Sequence, residues 1–212
     1  AIPASVKSIA VIDRTKEPGA AGEPLYLDVA TALRRAGRND IRLIGGRYGL
    51  ASKDFDPSMV KAIYDELLKD NPKDGFTVGI TDDVTYRSLD VTDHIVTCPD
   101  NLRQAVFYGM GSDGTVGATK QAAAIIGSEP GLYAQAYFHY SAKKSGGYTI
   151  SELRIGDAPI RSAYGIENAD YIACNKNTYV TRFDLTKRLR SGGTFVLNSP
   201  WTAADMEREL PA

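Results

Sequence analysis

The residues whose spacing carries the most chemistry run from Gly109 to Lys120. Gly109-Met110-Gly111-Ser112-Asp113-Gly114-Thr115 is a glycine-dense turn. It follows an apolar, strand-like run (Gln104 to Tyr108) and opens a helix-like run (Val116 to Ile126), which contains three consecutive alanines. Glycine has no Cβ and tolerates positive φ, so such a turn lets the backbone approach a ligand closely. The helix behind it aims free N–H groups and its positive dipole end into the turn. That arrangement suits a phosphate or another anion.

Gly109, Gly111 and Gly114 match the G-x-G-x-x-G spacing, in the strand-then-helix context that gives the motif meaning. A dinucleotide site also wants an acidic residue about twenty residues on, at the end of the next strand. Here that strand ends at Tyr140-Ser141-Ala142-Lys143-Lys144. Paired lysines in place of an acid disfavour NAD. They favour a ligand with phosphate at that end, such as NADP or the 3′-phosphorylated ADP of coenzyme A. The competing reading of Lys143 and Lys144 is a solvated turn. Asp113, inside the anion-binding turn, competes with a phosphate, and its simpler role is to cap the helix through backbone N–H groups.

Other candidates are weaker. Asn198 lies at the end of a late strand, where open α/β sheets bind ligands, although an Asn before Ser199-Pro200 also suits a plain turn. The loop from Asp13 to Glu23 joins a strand to a helix too. Its mixed charges (Asp13, Arg14, Lys16, Glu17, Glu23) argue for an internally paired loop or an interaction surface rather than a phosphate cradle. His139 sits in an apolar strand and reads as a core residue. Two histidines are too few for a standard metal site. Cys98 and Cys174 have no CxxC spacing, so they read as reduced thiols. No nucleophile–base–acid set is visible, so no residue is assigned a catalytic role.

The elements around these residues alternate. Strands are expected at Ser8–Ile12, Ile41–Ile44 and Phe76–Ile80, with helices at Leu25–Ala36 and Ser58–Leu68. Residues 82–101 read as a connector. The pattern restarts with strands at Arg103–Tyr108, Tyr133–Tyr140, Ile150–Arg154, Asp170–Cys174 and Thr194–Leu197. Helices are expected at Val116–Ile126 and Arg182–Leu189. The fold class is therefore α/β, as two successive units (residues 1–100 and 101–212) with largely parallel sheets flanked by helices. The 212 residues carry a net charge of −1, so nothing in the charge suggests a general affinity for nucleic acid or an anionic membrane, and neither is expected as a partner. No apolar run is long enough to span a bilayer. The first residues lack the apolar core of a signal peptide, and the absence of an initiator Met points to a processed or excised chain.

Several of these stretches are motifs. Asp13 to Val29, Gly79 to Thr85, Gly109 to Lys120, Lys143 to Gly147, Pro159 to Ser162 and Gly193 to Trp201 resemble, in order, the signatures of the pyruvate:ferredoxin (flavodoxin) oxidoreductases. The resemblance covers essentially the whole chain. It implies an internal part of a modular, cytoplasmic, homodimeric enzyme: the end of its second domain and the start of its third, gamma-type domain. Such an enzyme decarboxylates pyruvate oxidatively on thiamine diphosphate with Mg2+. It passes electrons through [4Fe-4S] clusters to ferredoxin or flavodoxin and delivers the acetyl group to coenzyme A. The resemblance further implies that this segment binds coenzyme A through Gly111, Ser112, Asp113, Gly114 and Thr115, then Lys143, and Asn198. The thiamine, metal and cluster sites belong to other domains, so the segment alone is inactive. Alternatives are a purely architectural segment of the same enzyme, a fragment of a pyruvate:NADP oxidoreductase, or a separate NADP-binding module. The chain departs from the family at Asn175, where His is usual after the cysteine.

Overall fold

The computed structural model describes residues 2–141 and 146–210. The backbone divides into two compact units, Ala1–Thr97 and Cys98–Ala212.

In the first unit, β1 (Ser8–Asp13), β2 (Arg42–Arg47) and β3 (Phe76–Thr77) form a parallel sheet in that order. The helices α1 (Pro24–Arg35) and α2 (Pro57–Leu67) begin as expected, each with proline in its first turn. Asp56 caps α2 by accepting the Met59 N–H at 2.9 Å. The core gathers Ile44, Ile63, Phe76, Val78 and Leu89. Gly46 is obligatory here, because any Cβ would run into the Phe76 ring. β3 is shorter than expected. Val78 still donates to the Arg47 carbonyl, but Gly79 at φ +68° turns the chain out of the sheet.

The second unit is a five-stranded sheet in the order β5-β6-β4-β7-β8. Its strands are β4 (Arg103–Met110), β5 (Tyr133–Tyr140), β6 (Tyr148–Gly156), β7 (Ala169–Cys174) and β8 (Leu189–Leu197). The α/β class holds, but this sheet is half parallel. β4, β7 and β8 run parallel, while β6 runs antiparallel to both β4 and β5. The reason is the short connection between β5 and β6, which only an antiparallel pair accommodates. β4 and β5, flanking β6, are parallel to each other and are joined by α3 (Thr115–Ser128), which lies against β4, β5 and β6.

The opposite face of the sheet is covered differently. Val106, Tyr108, Ile172 and Cys174 pack there with Ile166, Tyr179, Val180 and Leu185. The helix expected at Arg182–Leu189 does not form. A single 3-10 turn at Asn177–Tyr179 is followed by turns. Phe183 and Leu185 are both drawn into the core, a spacing of two that no helix face provides. Arg188 donates to the Ile166 carbonyl and pairs with the buried Glu152, which extends the chain into β8. β8 starts five residues earlier than expected because Leu189 already pairs with Ala169. A bulge follows, and Gly192 takes φ +75°. The final helix, α4 (Ala203–Glu209), escaped the sequence reading although Thr202 and Asp205 form a capping box.

Candidate functional site

β4 carries the chain to Met110, and the turn that follows is held by its own acid. The Asp113 carboxylate accepts the Met110 N–H at 2.8 Å and the Thr115 N–H at 2.9 Å, and the Asp113 N–H returns to the Met110 carbonyl at 3.0 Å. The N-cap of α3 is Gly114, without a side-chain cap; Asp113, one residue earlier, instead closes the turn and takes the first N–H of the helix. Lost hydration of the carboxylate favours its neutral form. Hydrogen bonds from Thr115, Met110 and Asn175 outweigh that and hold its pKa below the ordinary value. The group is thus an anion at the mouth of α3. Among the described residues, no acceptor takes the N–H groups of Gly114, Val116 or Gly117. These are the donors a helix start leaves open.

Two glycines make this geometry possible. Gly114 sits at φ +88°, the left-handed region. A Cβ on Gly109 would lie 2.6 Å from the Thr115 hydroxyl and 2.8 Å from that of Thr149, so only glycine admits both. Gly111 donates to the Gly147 carbonyl at 2.7 Å, which ties the turn to the start of β6.

The second wall of the site comes from the residues after β7. Asn175 donates its backbone N–H to Tyr108 at 2.9 Å and its side-chain amide to the Thr115 hydroxyl at 2.7 Å. The Lys176 ammonium reaches the Met110 sulfur at 3.3 Å. After β4 the chain crosses one face of the sheet through α3. After β7 it crosses the other face through Tyr179, Val180 and Leu185. The crevice between the carboxyl ends of β4 and β7 is therefore a topological switch point, the place where open α/β sheets hold ligands.

Of the residues singled out in the sequence, Gly111, Ser112, Asp113, Gly114 and Thr115 come together at this crevice. Asn198 follows the carboxyl end of β8, donating its N–H to the Cys174 carbonyl at 2.8 Å, and is exposed. It is at the same end of the sheet but bonds to nothing in the turn. Lys143 lies outside the described residues. His139 is half-buried on β5, edge-on to Tyr137 and 3.8 Å from Glu152. Sequence reasoning missed Thr149, Asn175 and Lys176 as members of the site. Only Asn175 carried a signal, as a departure from the family pattern. Among the described residues, no group of three or more His, Cys, Asp or Glu is placed to hold a metal ion. No helix among them is long and apolar enough to cross a membrane.

The loop of the first unit contrasts with this turn. Asp13 accepts the Leu25 N–H at 2.8 Å, Arg14 donates to the Gly49 carbonyl at 3.0 Å, and the buried Glu23 pairs with Arg47 at 2.8 Å. Between loop and sheet lies a cleft of about 410 Å3 that also touches Asp74 and Arg87. Asp13, Arg14 and Glu23 are thus held by partners elsewhere in the unit, while Lys16 and Glu17 are exposed at the cleft.

Fold and site together define an α/β protein with a glycine turn at a topological switch point. The family model described as pyruvate ferredoxin/flavodoxin oxidoreductase matches residues 104–212, and the chain belongs to that family. It is 57% identical over 211 residues to a pyruvate:ferredoxin oxidoreductase of Moorella thermoacetica, covering 100% of this chain and 18% of that protein. It is 54% identical over 213 residues to a mitochondrial pyruvate dehydrogenase [NADP(+)] of Euglena gracilis, covering 100% and 12%. A pyruvate-flavodoxin oxidoreductase of Enterobacter agglomerans is 51% identical, covering 99% and 18%. The chain thus spans less than a fifth of the length of these relatives. Among solved structures, the gamma subunit of a keto/oxoacid ferredoxin oxidoreductase from Geobacter sulfurreducens aligns with a TM-score of 0.35 and 22% identity, over 45% of this chain and 50% of that one. That degree of likeness carries no argument.

Proposed function

We propose that this chain is the coenzyme A-binding part of a pyruvate:ferredoxin or flavodoxin oxidoreductase. In this reading the complete enzyme oxidises pyruvate to acetyl-coenzyme A and passes electrons to ferredoxin or flavodoxin. It works in the cytoplasm as a homodimer. Thiamine diphosphate, Mg2+ and the [4Fe-4S] clusters are held by its other domains. Residues 1–100 form the end of its second domain, and residues 101–212 the start of its gamma-type third domain.

The observation that carries this reading is the glycine turn at the switch point. The open N–H groups of Gly114, Val116 and Gly117 are donors for a phosphate at the start of α3. Lys143 supplies the cation for the 3′-phosphate, and Asn198 a polar group at the same end of the sheet. Calorimetric titration with coenzyme A, dephospho-coenzyme A and NADP tests it. Binding selective for coenzyme A, weakened strongly by Lys143→Ala with the fold intact, is the expected result. Preference for NADP would instead make the unit a dinucleotide module. The isolated chain is expected to show no pyruvate oxidation, and turnover in a cluster-free preparation supplied with thiamine diphosphate would overturn the division of labour.

A second reading, that the chain is chiefly architectural, draws on α2 and the residue after it. Val60, Tyr64 and Leu68 fall at i, i+4 and i+8 and are 37%, 65% and 82% exposed. Such a stripe suits docking to another part of the enzyme. Failure of every nucleotide to bind would favour it.

A further inference from the structure

We infer that Asn175 is a positioning residue: with Thr115 it latches the Asp113 carboxylate onto the turn and so keeps the N–H groups of α3 free for a phosphate. The inference rests on the coenzyme A reading above and adds to it the means by which the site holds off its own acid.

The acid and a bound phosphate compete for the same donors. A carboxylate beside a helix start is drawn to the N–H groups of the first turn and to the positive end of the dipole. Asp113 precedes the N-cap Gly114 by one residue and is ionised. Yet it takes only the Thr115 N–H of the helix, together with the Met110 N–H behind it. Those of Val116 and Gly117 find no acceptor among the described residues. The helix start is also open: a Cβ added at Gly114 or Gly117 would meet nothing within 4 Å. Packing alone therefore does not hold the carboxylate away from these donors.

A closed set of side-chain bonds does. The Asn175 amide donates to the Thr115 hydroxyl at 2.7 Å, and both side chains hydrogen-bond the Asp113 carboxylate. Thr115 is buried, at 7% exposed. Asn175 is exposed, but its backbone is pinned. Its N–H donates to the Tyr108 carbonyl at 2.9 Å, and the Cys174 carbonyl just before it accepts the Asn198 N–H at 2.8 Å. β7 is thereby tied to both β4 and β8 at the point where Asn175 leaves it. The latch is built on the sheet, while the acid it holds sits on a turn.

That turn is strained. Ser112 takes φ +71°, the left-handed region that residues other than glycine seldom enter. Such a conformation persists only where surrounding bonds over-determine it. Here the bonds converge on the next residue, Asp113. Without the Asn175 amide, the turn relaxes and the carboxylate swings onto Val116 and Gly117, where it excludes the ligand.

The test places Asn175→Ala, Asp113→Ala and the double variant in the complete polypeptide that contains this chain. Each is titrated with coenzyme A and with pantetheine, which has no phosphate. Asn175→Ala is expected to weaken coenzyme A about tenfold and to leave pantetheine unchanged. In the Asp113→Ala background the same substitution should change nothing, because the competitor is gone. Equal loss in both backgrounds, or no loss in either, would overturn the inference while leaving the coenzyme A reading standing. A second measurement needs no ligand. Hydrogen exchange of the unliganded protein should slow severalfold at the Val116 and Gly117 amides in Asn175→Ala, as Asp113 takes them. A merely structural role would loosen the turn and speed that exchange instead. If the unsubstituted protein binds no coenzyme A, that reading falls, and exchange alone decides. Slowing keeps the latch, whereas unchanged or faster exchange removes it.

Discussion

The two units each join a parallel strand to a helix through a glycine-containing loop, yet the two loops end in opposite states. In the first unit, Asp13, Arg14 and Glu23 all find partners within the unit: the Leu25 N–H, the Gly49 carbonyl and Arg47. In the second, Asp113 takes two N–H groups, while those of Gly114, Val116 and Gly117 find no acceptor among the described residues. A strand–glycine turn–helix unit is therefore not by itself a ligand site. What separates the two is how much of the turn's hydrogen-bonding and charge capacity the protein spends on itself.

The comparison can be broken most sharply at the glycines. Gly46→Ala drives a methyl into the Phe76 ring and is expected to cost about 3 kcal/mol of stability in the first unit alone. Gly109→Ala meets the Thr115 and Thr149 hydroxyls and is expected to cost about 2 kcal/mol in the second unit, with loss of ligand affinity as well. Hydrogen exchange resolved by unit, with calorimetric binding, measures both. Equal effects of the two variants on binding would erase the distinction drawn here.

Next in size is Glu23→Ala. It leaves Arg47 with 16% of its side chain exposed and no carboxylate, at an expected cost of about 2 kcal/mol by denaturant unfolding. Binding at the second unit should not change. A gain of anion binding in the first-unit cleft would mean that Glu23 stands in for a ligand, and the two loops would then be alike.

Asp113→Asn sharpens the contrast in the other direction. It is expected to cost about 1 kcal/mol by weakening the bonds to the Met110 and Thr115 N–H groups, yet to raise affinity for a phosphate ligand by removing a like charge. The pH dependence has a definite sign. The folded pKa of Asp113 is depressed, so the stability it lends is present above the ordinary aspartate value of about 4 and is lost as pH falls through the lower folded value. Acid unfolding curves of wild type and Asp113→Asn should therefore converge at the acidic end and separate as pH rises. The smallest effect is expected from Thr202→Ala, about 1 kcal/mol or less, seen as faster exchange in α4 with nothing changed at either loop.

Much of the fold is legible in the residues. β5 falls on Tyr133–Tyr140 as expected, and α1 and α2 begin one residue before their expected starts because Pro24 and Pro57 mark them. Reading failed where tertiary partners override local pattern. Residues 182–189 look helical until Phe183 and Leu185 are pulled into the core and Arg188 is held by Glu152 and Ile166. The half-antiparallel sheet was missed because β6 carries no mark of its direction, which follows from the short link to β5.

For the site the division is the same. The sequence by itself determined the glycine turn, its acid and the helix behind it, because backbone freedom and helix dipoles are local properties of consecutive residues. Only the tertiary structure decided which side chains complete it. Asn175, Lys176 and Thr149 lie 60, 66 and 40 residues from the groups they face, Thr115, Met110 and Gly109. They meet those groups because β4 pairs with β6 on one side and β7 on the other. Strand pairing depends on burying two faces of one sheet, an energy summed over the whole unit rather than written at any one position.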